Sequence, residues 1–211
     1  HNQVIRRILK IKVRYPGVRV LLAKRDVKAA FRLIPVHPAD VGAFATDLPG
    51  EVAGRKEPVS ATWLVLTFGW AGSPGHWQGW AEGVRGAHMG LGPPDPRWNG
   101  SEAFESFMLV DDGILVEPEL GIRPRHSASA WETVLTKLLG PKALNSSKLE
   151  EEGTYAQQSV IWGVVLDTAN NTVSLQERKL SKAAYLLDDP CYDSGVRRLK
   201  LHPLQVLRGN A

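Results

Sequence analysis

Three carboxylates in this sequence have the types and spacing expected of a divalent-cation site. Asp26 lies near the end of the apolar run Val18 to Val27, and the pair Asp111-Asp112 separates two further apolar runs. Phosphoryl transfer onto a hydroxyl by a two-metal mechanism needs carboxylates that converge from separate segments of a chain. Because neighbouring strands lie about 4.8 Å apart, a strand-end acid facing a hairpin pair meets this need. The acids therefore predict a centre for metal-assisted phosphoryl transfer.

A second Asp-Asp pair, Asp188-Asp189, offers a comparison within the same chain. It ends a predicted helix just before Pro190, so a solvated turn is its natural interpretation. The pair Asp111-Asp112 differs because apolar runs, Phe104 to Val110 and Ile114 to Val116, lie on both sides of it. Two buried strands joined by a hairpin at this point would leave only the acids at the mouth of a cleft.

The elements that must position these acids alternate between strands and helices. Apolar and β-branched runs predict strands over Val18 to Val27, Ala43 to Leu48, Thr62 to Phe68, Phe104 to Val110, Ile114 to Val116, Ser159 to Leu166 and Thr172 to Leu175. Periodic apolar positions with Pro or Gly at their ends predict helices over Pro74 to Met89, Ser127 to Leu139, Glu177 to Leu187 and Gly195 to Leu207. The segments Pro49 to Pro58 and Gly90 to Gly100 are predicted loops.

Composition and cysteine content narrow the class of protein. The 211 residues are 43% hydrophobic, which is enough to bury a sizeable core. No run of eighteen apolar residues occurs, so we expect no membrane partner. The single cysteine, Cys191, excludes an internal disulfide and stands in no zinc-binding pattern. We therefore expect an intracellular protein, cytoplasmic or nuclear.

The net charge of +4 is distributed unevenly. Residues 1–32 hold ten Lys or Arg against one acid, whereas residues 33–175 hold nine bases against seventeen acids. Basic ends flanking an acidic middle suit a phosphate backbone held beside a cation site. A solvated basic face accounts for such clusters equally well, so the charge pattern alone decides little.

Five segments of the chain resemble the motifs of reverse transcriptases, in the order of that family. They are Asp26-Val27-Lys28-Ala29-Ala30-Phe31, Phe68-Gly69-Trp70-Ala71-Gly72-Ser73-Pro74, Leu109-Val110-Asp111-Asp112, Leu144-Asn145-Ser146-Ser147-Lys148 and Val160-Ile161-Trp162-Gly163. The resemblance covers residues 18–175. Leu109 stands where the family usually has Tyr, which removes a hydroxyl and keeps an apolar strand position.

The resemblance implies a role for each matching residue. Asp26, Asp111 and Asp112 would hold two Mg²⁺ (or Mn²⁺) ions. The residues implied to contact the incoming nucleotide are Val27, Phe31, Phe68 and Gly69, with Phe31 as the steric gate against a ribose 2′ hydroxyl. Lys148 would assist departure of pyrophosphate. Trp162 and Gly163 would position the primer end. Each of these residues also has a structural interpretation: Phe31 and Trp162 as core aromatics, Gly69 as a turn residue and Lys148 as a solvated lysine.

The fold implied is an α+β polymerase palm, in which an antiparallel sheet is backed by helices, with partial fingers and a partial helical thumb. Residues 1–175 would form the fingers and palm, including a fingers insertion at about residues 36–62, and residues 176–211 would begin the thumb or connection. The implied activity is RNA-directed DNA polymerisation, with an RNA or DNA template, a primer and deoxynucleoside triphosphates as partners. The particular amino acids in these segments suggest a retrotransposon of gypsy or DIRS type.

Two other functions are compatible with parts of the sequence. Only 25 residues precede Asp26, whereas the family's fingers extend further upstream, so a non-catalytic nucleic-acid-binding remnant is one alternative. The other is a serine hydrolase, because Ala71-Gly72-Ser73-Pro74-Gly75 resembles a nucleophile elbow and is followed by Asp167 and His202. Pro74 argues against it, since the residue after the nucleophile must offer a backbone N–H to the oxyanion.

Overall fold

The structure of the protein is a computed structural model that describes residues 1–92 and 103–188. The chain forms two units, residues 1–156 and 157–211. The helices are α1 (Asn2–Arg14), α2 (Ser73–Gly90), α3 (Arg123–Leu139), α4 (Ser146–Glu152) and α5 (Glu177–Leu187). The strands are β1 (Val20–Asp26), β2 (Ala45–Leu48), β3 (Val59–Thr62), β4 (Ser106–Leu109), β5 (Asp112–Pro118), β6 (Gln158–Ile161), β7 (Val164–Asp167) and β8 (Thr172–Leu175).

The central sheet of the first unit is antiparallel, with strand order β1-β5-β4. Its register places Ala23 opposite Leu115 and Asp26 opposite Asp112. Leu115 and its neighbour Val116 are both fully buried. Because successive strand residues point to opposite faces, the sheet is covered on both sides. This arrangement explains why the strands carry almost continuous aliphatic runs instead of an alternating pattern.

Helices α2 and α3 pack against each other, and each also contacts the central sheet. Their buried positions include two tryptophans, Trp77 and Trp131, which are both fully enclosed. These rings join Ala23, Val27 and Leu115 in the main apolar core. The predicted fold class, an α+β protein with an antiparallel sheet backed by helices, is therefore confirmed. Helix α3 begins four residues earlier than expected, at Arg123.

Helix α1 was not among the predicted elements. Val4, Ile8 and Ile11 recur at helical spacing and are buried, and α1 contacts β1 and β5. The helical spacing of these apolar residues is hard to recognise in the sequence, because basic residues lie between them. Helix α4 was also unpredicted, because its seven residues, Ser-Ser-Lys-Leu-Glu-Glu-Glu, bury none of their side chains.

The predicted strand Thr62 to Phe68 is wrong. Only Thr62 belongs to a strand, at the end of β3, and Val65 forms an isolated bridge with Pro35. The segment does bond to residues 34–36, through Val36 N to the Leu64 carbonyl at 2.9 Å and Leu66 N to the Ile34 carbonyl at 3.0 Å. Because Pro35 has no N–H, this ladder cannot continue into a regular strand pair.

Strands β2 and β3 form a separate two-stranded antiparallel hairpin within the first unit. A 3-10 helix, Pro38–Phe44, precedes it, and another, Gly50–Ala53, lies in its connection. These elements occupy the region expected to hold a fingers insertion. Strand β2 falls within the predicted strand Ala43 to Leu48 and confirms it.

The second unit contains a three-stranded antiparallel sheet, in the order β6-β7-β8, followed by α5. The predicted single strand Ser159 to Leu166 is wrong in its continuity, because a tight turn divides it into β6 and β7. Strand β8 and helix α5 match their predicted bounds. The predicted helix Gly195 to Leu207 lies outside the described residues.

Within residues 1–92 and 103–188, no helix has the length and apolar character needed to cross a membrane.

Candidate active site

Asp26 and Asp112 occupy the ends of two adjacent strands and are direct partners in the β1–β5 register. Directly opposed residues of an antiparallel pair have their side chains on the same face. Both line a cavity of about 210 Å³, together with Lys24, Lys148 and Glu152. Asp26 is 8% exposed, so it is largely buried in this cavity wall. The structure thus brings together two of the three acids expected in the metal site.

Asp111 takes a different position, in the turn between β4 and β5. The pairing of Leu109 with Asp112 makes Val110 and Asp111 the two central turn residues, whereas the sequence pattern put Asp112 and Gly113 in the turn as well. Asp111 does not line the cavity of Asp26 and Asp112. Its backbone carbonyl accepts a 2.9 Å hydrogen bond from Val27 N, which ties the turn to the end of β1.

The turn itself has an unusual backbone conformation. Val110 has a φ of +53°, in the left-handed region that β-branched residues rarely adopt. Its carbonyl accepts a 2.6 Å hydrogen bond from Nε1 of Trp77, which is fully buried in α2. A strained residue persists only where its surroundings hold it in place, and such strain concentrates at functional sites. The Trp77 indole is one group that holds this turn.

Both carboxylate oxygens of Asp26 are engaged by residues that follow α3. Lys148 Nζ donates to Oδ1 at 2.5 Å, and Asn145 Nδ2 donates to Oδ2 at 2.6 Å. The backbone is paired here as well, because Asn145 N donates to the Asp26 carbonyl at 3.2 Å. The hydrogen bond to Asp26 raises the pKa of Lys148, so this amine stays protonated near neutral pH. The sequence had indicated Lys148 but assigned no role to Asn145.

The surroundings of Asp112 disfavour its negative charge. Burial raises the pKa of Asp112, and the neighbouring charges of Asp111 and Asp26 raise it further. Carboxylate oxygens are the hard ligands that Mg²⁺ and Mn²⁺ prefer, so the donor set fits these ions. In the part of the chain that the structure describes, however, no three His, Cys, Asp or Glu side chains converge closely enough to hold a metal. The side chain of Asp26 is instead oriented toward Lys148 and Asn145, which donate hydrogen bonds to its two carboxylate oxygens.

A second and larger cavity, of about 540 Å³, adjoins this site through Asn145, which lines it while bonding Asp26. Three cationic side chains line it: Lys28 and Arg32, which follow Asp26 in sequence, and Lys142. The hydroxyl residues Ser146 and Ser147 lie at its wall. Cations and hydroxyls together suit a polyphosphate. This cluster was missed, because its members are solvent-exposed and Arg32 and Lys142 lie 110 positions apart in the sequence.

The residues implied to contact a nucleotide divide into buried and exposed members. Val27 is fully buried, and Phe31 is 6% exposed within the main core, as the structural interpretation of Phe31 expected. Phe68 is 67% exposed, and its ring centre lies 5.0 Å from that of Phe31. Gly69 has a φ of +91°, which glycine adopts without strain. The buried Phe31 ring therefore packs against the exposed Phe68 ring, which immediately precedes the left-handed residue Gly69.

Trp162 and Gly163 form the two-residue turn between β6 and β7 in the second unit. Both have positive φ, +48° and +87°. Two central residues with positive φ are typical of a type I′ hairpin turn, which glycine favours and tryptophan does not. A hairpin turn therefore lies where the apolar pattern predicted one continuous strand.

Ser73 does not have the surroundings of a nucleophile. It is 1% exposed, and its hydroxyl donates to the carbonyl of Thr67 at 2.6 Å. It lies in the first turn of α2, where Pro74 follows it. Asp167 belongs to the second unit, and His202 lies outside the described residues. Ser73 is a structural residue of the helix start.

The basic N-terminal segment is only partly available to a ligand. Arg7 is 2% exposed and pairs with Glu105 at 3.5 Å, while Arg25 is 5% exposed and pairs with Glu132 at 3.3 Å. Lys24 forms an ion pair with Glu152 in the smaller cavity. Several of the ten basic residues therefore hold the first unit together.

Comparisons with known proteins agree with this geometry at the level of the fold. No family model and no curated protein matches the chain. Among solved structures, it is similar to a foamy viral protease-reverse transcriptase in complex with an RNA/DNA hybrid, at 14% identity and a TM-score of 0.56 over 90% of this chain. Two further structures of foamy viral protease-reverse transcriptase, one with dsDNA and one of a dRH form with dsDNA, give TM-scores of 0.57 at 12% and 13% identity, over 90% and 96% of this chain.

The chain spans 20%, 32% and 29% of the length of these three structures. The likeness rests on the arrangement of the backbone, because the sequences are too dissimilar to support more. The strands that bring Asp26 beside Asp112, and the helices packed on them, therefore belong to a reverse-transcriptase-like fold.

Proposed function

We propose that this chain is the core of a template-directed DNA polymerase of the reverse-transcriptase type, which extends a primer by nucleotidyl transfer. The observation that carries the proposal is the pairing of Asp26 with Asp112 at one cavity, beside a second cavity lined by Lys28, Arg32 and Lys142. An acidic site for cations next to a basic site for phosphates is the charge arrangement that phosphoryl transfer requires.

Asp26, Asp111 and Asp112 are the residues proposed to hold two Mg²⁺ or Mn²⁺ ions, which would activate the primer hydroxyl and stabilise charge on the reacting phosphate. The protein's own contribution begins with orientation. The bonds from Trp77 to the Val110 carbonyl and from Val27 to the Asp111 carbonyl hold the hairpin acids against the end of β1. Fixed acids lose little entropy when a substrate arrives, and this lowers the barrier.

Lys148 is proposed to assist the leaving pyrophosphate. Its ammonium group, kept protonated by Asp26, is half exposed at the cavity rim and carries a transferable proton. The basic cavity is proposed to receive the triphosphate of a deoxynucleotide, where Lys28, Arg32 and Lys142 balance its charge. Phe31 and Phe68 are proposed to contact the sugar and base, and Trp162 and Gly163 the primer.

The nucleic-acid partner follows from the same proposal. The similar foamy viral structures are complexes with an RNA/DNA hybrid and with dsDNA, and we propose a primer paired to an RNA or DNA template here. The wording of the motifs supports a retrotransposon of gypsy or DIRS type as the parent element.

A primer-extension assay tests the proposal. The full chain is incubated with a primer-template, deoxynucleoside triphosphates and Mg²⁺ or Mn²⁺, and elongation is compared on RNA and DNA templates. Extension should require the divalent ion and should stop in Asp26→Asn. Extension that persists in this variant, or in the presence of a chelator, would contradict the assignment.

One observation favours the non-catalytic alternative, a nucleic-acid-binding remnant. Both oxygens of Asp26 are engaged by Lys148 and Asn145, which neutralises the acid most needed for a metal. The same assay discriminates the two functions when paired with a binding measurement. Salt-sensitive binding of the primer-template with no extension under any metal condition would assign the remnant.

A further inference from the structure

Asn145 is the N-cap residue of α4, yet its side chain does not cap that helix. Asparagine is favoured at this position because its side-chain oxygen can accept a hydrogen bond from a backbone N–H of the first turn. Here Oδ1 instead accepts a 2.9 Å bond from the hydroxyl of Ser147, and Nδ2 donates to Oδ2 of Asp26 at 2.6 Å. The usual role of this asparagine in its helix is therefore replaced by a contact with the proposed metal site.

The bond from Ser147 determines which way the Asn145 amide faces. Because the hydroxyl donates to Oδ1, the NH₂ group, which carries only donors, is directed at Asp26. A flipped amide would place its oxygen against the carboxylate, and two acceptors would then face each other without a proton between them. The hydroxyl, the amide and the carboxylate thus form a continuous series of bonds that fixes Oδ2 of Asp26.

The backbone also holds Asn145 against the end of β1. Asn145 N donates to the Asp26 carbonyl at 3.2 Å, and Lys28 N donates to the Ala143 carbonyl at 2.7 Å. The segment that carries the amide is therefore paired with the segment that carries the acid. A side chain held in this way loses little conformational freedom when a ligand binds beside it.

Lys148 contacts the other oxygen of Asp26 in a less constrained manner. Its Nζ donates to Oδ1 at 2.5 Å, but its side chain is 50% exposed and ends a flexible four-carbon stem. An exposed ion pair is screened by water and is separated at little cost. Lys148 can therefore leave its oxygen readily, whereas Asn145 is fixed by its own side-chain and backbone bonds.

The partners of the two Asp26 oxygens line different cavities. Lys148, the partner of Oδ1, lines the smaller cavity together with Asp112. Asn145, the partner of Oδ2, lines the larger, basic cavity. Departure of Lys148 would thus free the oxygen whose partner lies in the same cavity as Asp112.

We propose that Asn145 is a positioning residue for the divalent cation, which keeps Oδ2 of Asp26 fixed while the cation takes the place of Lys148 at Oδ1. The inference rests on the proposed function in one respect, because Asp26 is taken as a ligand of the proposed ions. It adds that the two bonds to Asp26 have opposite effects on cation binding. The Asn145 amide orients a ligand, as hydrogen bonds to ligating carboxylates commonly do, whereas the Lys148 ammonium competes with the cation for that ligand.

Binding of Mn²⁺ to the full chain, without nucleic acid or nucleotide, tests the proposal. Electron paramagnetic resonance measures the free ion as Mn²⁺ is added. Asn145→Leu keeps the size of the side chain and removes the donor, so the Kd for Mn²⁺ should rise about tenfold or more, the usual cost of losing a group that orients a metal ligand. Lys148→Met keeps the length and removes the competing charge, so the Kd should fall about fivefold.

Two further variants and a control locate the effect. Asp26→Asn should abolish the binding, which places the ion at this site. Ser147→Ala frees the Asn145 amide to rotate without removing it, so its Kd should rise less than that of Asn145→Leu. Asn170→Leu is the matched control, because Asn170 Nδ2 donates to Oδ2 of Asp167 at 2.9 Å, the same kind of bond in the second unit. It should leave the Kd unchanged.

An unchanged Kd in Asn145→Leu would overturn the proposal, because the amide would then not orient Asp26 for a cation. A higher Kd in both Asn145→Leu and Lys148→Met would also overturn it, since the two bonds would then only hold the fold. Thermal unfolding of the two variants would in that case show matching losses of stability. Absence of Mn²⁺ binding by the wild type, or binding that persists in Asp26→Asn, would have the same consequence.

The outcome is distinguishable from failure of the polymerase assignment, because the measurement requires no primer extension. A chain that shows the opposite shifts in Kd and extends no primer would support the role of Asn145 and contradict only the proposed catalysis. Primer extension by a wild type whose Asn145→Leu variant binds Mn²⁺ equally well would do the reverse.

Discussion

The indole of Trp77 donates a 2.6 Å hydrogen bond to the carbonyl of Val110, the residue with positive φ beside Asp111. A fully buried side chain in α2 thus supports the turn that carries a proposed metal ligand. The contact links the packing of helices on the sheet to the placement of an acid.

Trp77→Phe should therefore loosen the turn. It removes the N–H and leaves the Val110 carbonyl without this donor, which costs about 1–3 kcal/mol beyond the loss of ring volume. The control is Trp131→Phe, because Trp131 is equally buried while its Nε1 has no hydrogen-bond partner among the described residues. Chemical unfolding should show the larger loss of stability for Trp77→Phe, and extension should fall more. Equal losses would mean that the hydrogen bond contributes little.

Asp111→Asn tests the acid in the turn. Removing a proposed metal ligand opens no cavity, so primer extension should fall by at least about a hundredfold while the free energy of unfolding changes little. Asp188→Asn is the charge-matched control, because Asp188 is an exposed residue at the end of α5 and should leave activity unchanged. A parallel decline of stability and activity in Asp111→Asn would assign this acid a structural role.

The proximity of Asp26 and Asp112 could be predicted from the sequence, because apolar strands and acids at their ends are local signals. The predicted turn began one residue later than the turn in the structure, Val110-Asp111, because Asp112-Gly113 is a strong local turn signal. In the structure Gly113 is a strand residue opposite Arg25, and a Cβ there would lie 3.0 Å from the Trp131 ring. This glycine permits close packing of a helix against the sheet, and a local pattern cannot distinguish that use from a turn.

Most features of the site that could not be predicted from the sequence are contacts between residues far apart in the chain. Asn145 reaches Asp26 across 119 positions, and Trp77 reaches Val110 across 33. Asn145 lies in one of the motif-like segments, but no local pattern identifies Asp26 as its partner. The burial of Phe31 is a further example, because one motif residue serves both the core and the contact with Phe68.

Stability should depend on pH through His88. Burial lowers the pKa of His88 to about 4 from the model-peptide value of 6.5, although a hydrogen bond to the Ser127 carbonyl opposes the shift. The unfolded state then binds the proton more readily, so stability falls as the pH drops from about 6.5 to about 4. The loss is about 3 kcal/mol at 1.36 kcal/mol per pH unit.

His88→Gln should flatten this part of the profile in chemical unfolding experiments at several pH values. Glu117, whose carboxylate accepts a hydrogen bond from the Ser127 hydroxyl, remains in both proteins, so its own titration cancels in the difference. An unchanged slope between pH 6.5 and 4 would show that another group controls acid unfolding.

Lys142→Gln tests the basic cavity. Lys142 is exposed, so its attraction for a phosphate is screened and should amount to about 1 kcal/mol. The KM for deoxynucleotides should therefore rise about fivefold with little change in kcat. Lys137→Gln, an exposed lysine on α3 that does not line the cavity, should leave both constants unchanged. A fall in kcat at constant KM would place Lys142 outside nucleotide binding.

Phe31→Val tests both interpretations of this ring, as a core aromatic and as a gate against the 2′ hydroxyl. Because Phe31 is 6% exposed within the main core, the change should destabilise the chain by about 2 kcal/mol whichever interpretation holds. Phe104→Val is the matched control, since Phe104 is 2% exposed and lines neither cavity. Stability alone therefore cannot separate the two roles.

The discriminating quantity is the ratio of kcat/KM for ribonucleotides to that for deoxynucleotides, in which uniform damage cancels. A gate excludes the hydroxyl by steric clash, which is worth several kcal/mol, so Phe31→Val should raise the ratio by about a hundredfold. Phe104→Val should leave it unchanged. If the ratio stays constant in Phe31→Val, the ring acts only in the core. The exposed Phe68 ring, which is tilted against it with ring centres 5.0 Å apart, is then the nearer candidate for contact with the sugar, because substitution there would remove surface that a nucleotide can reach.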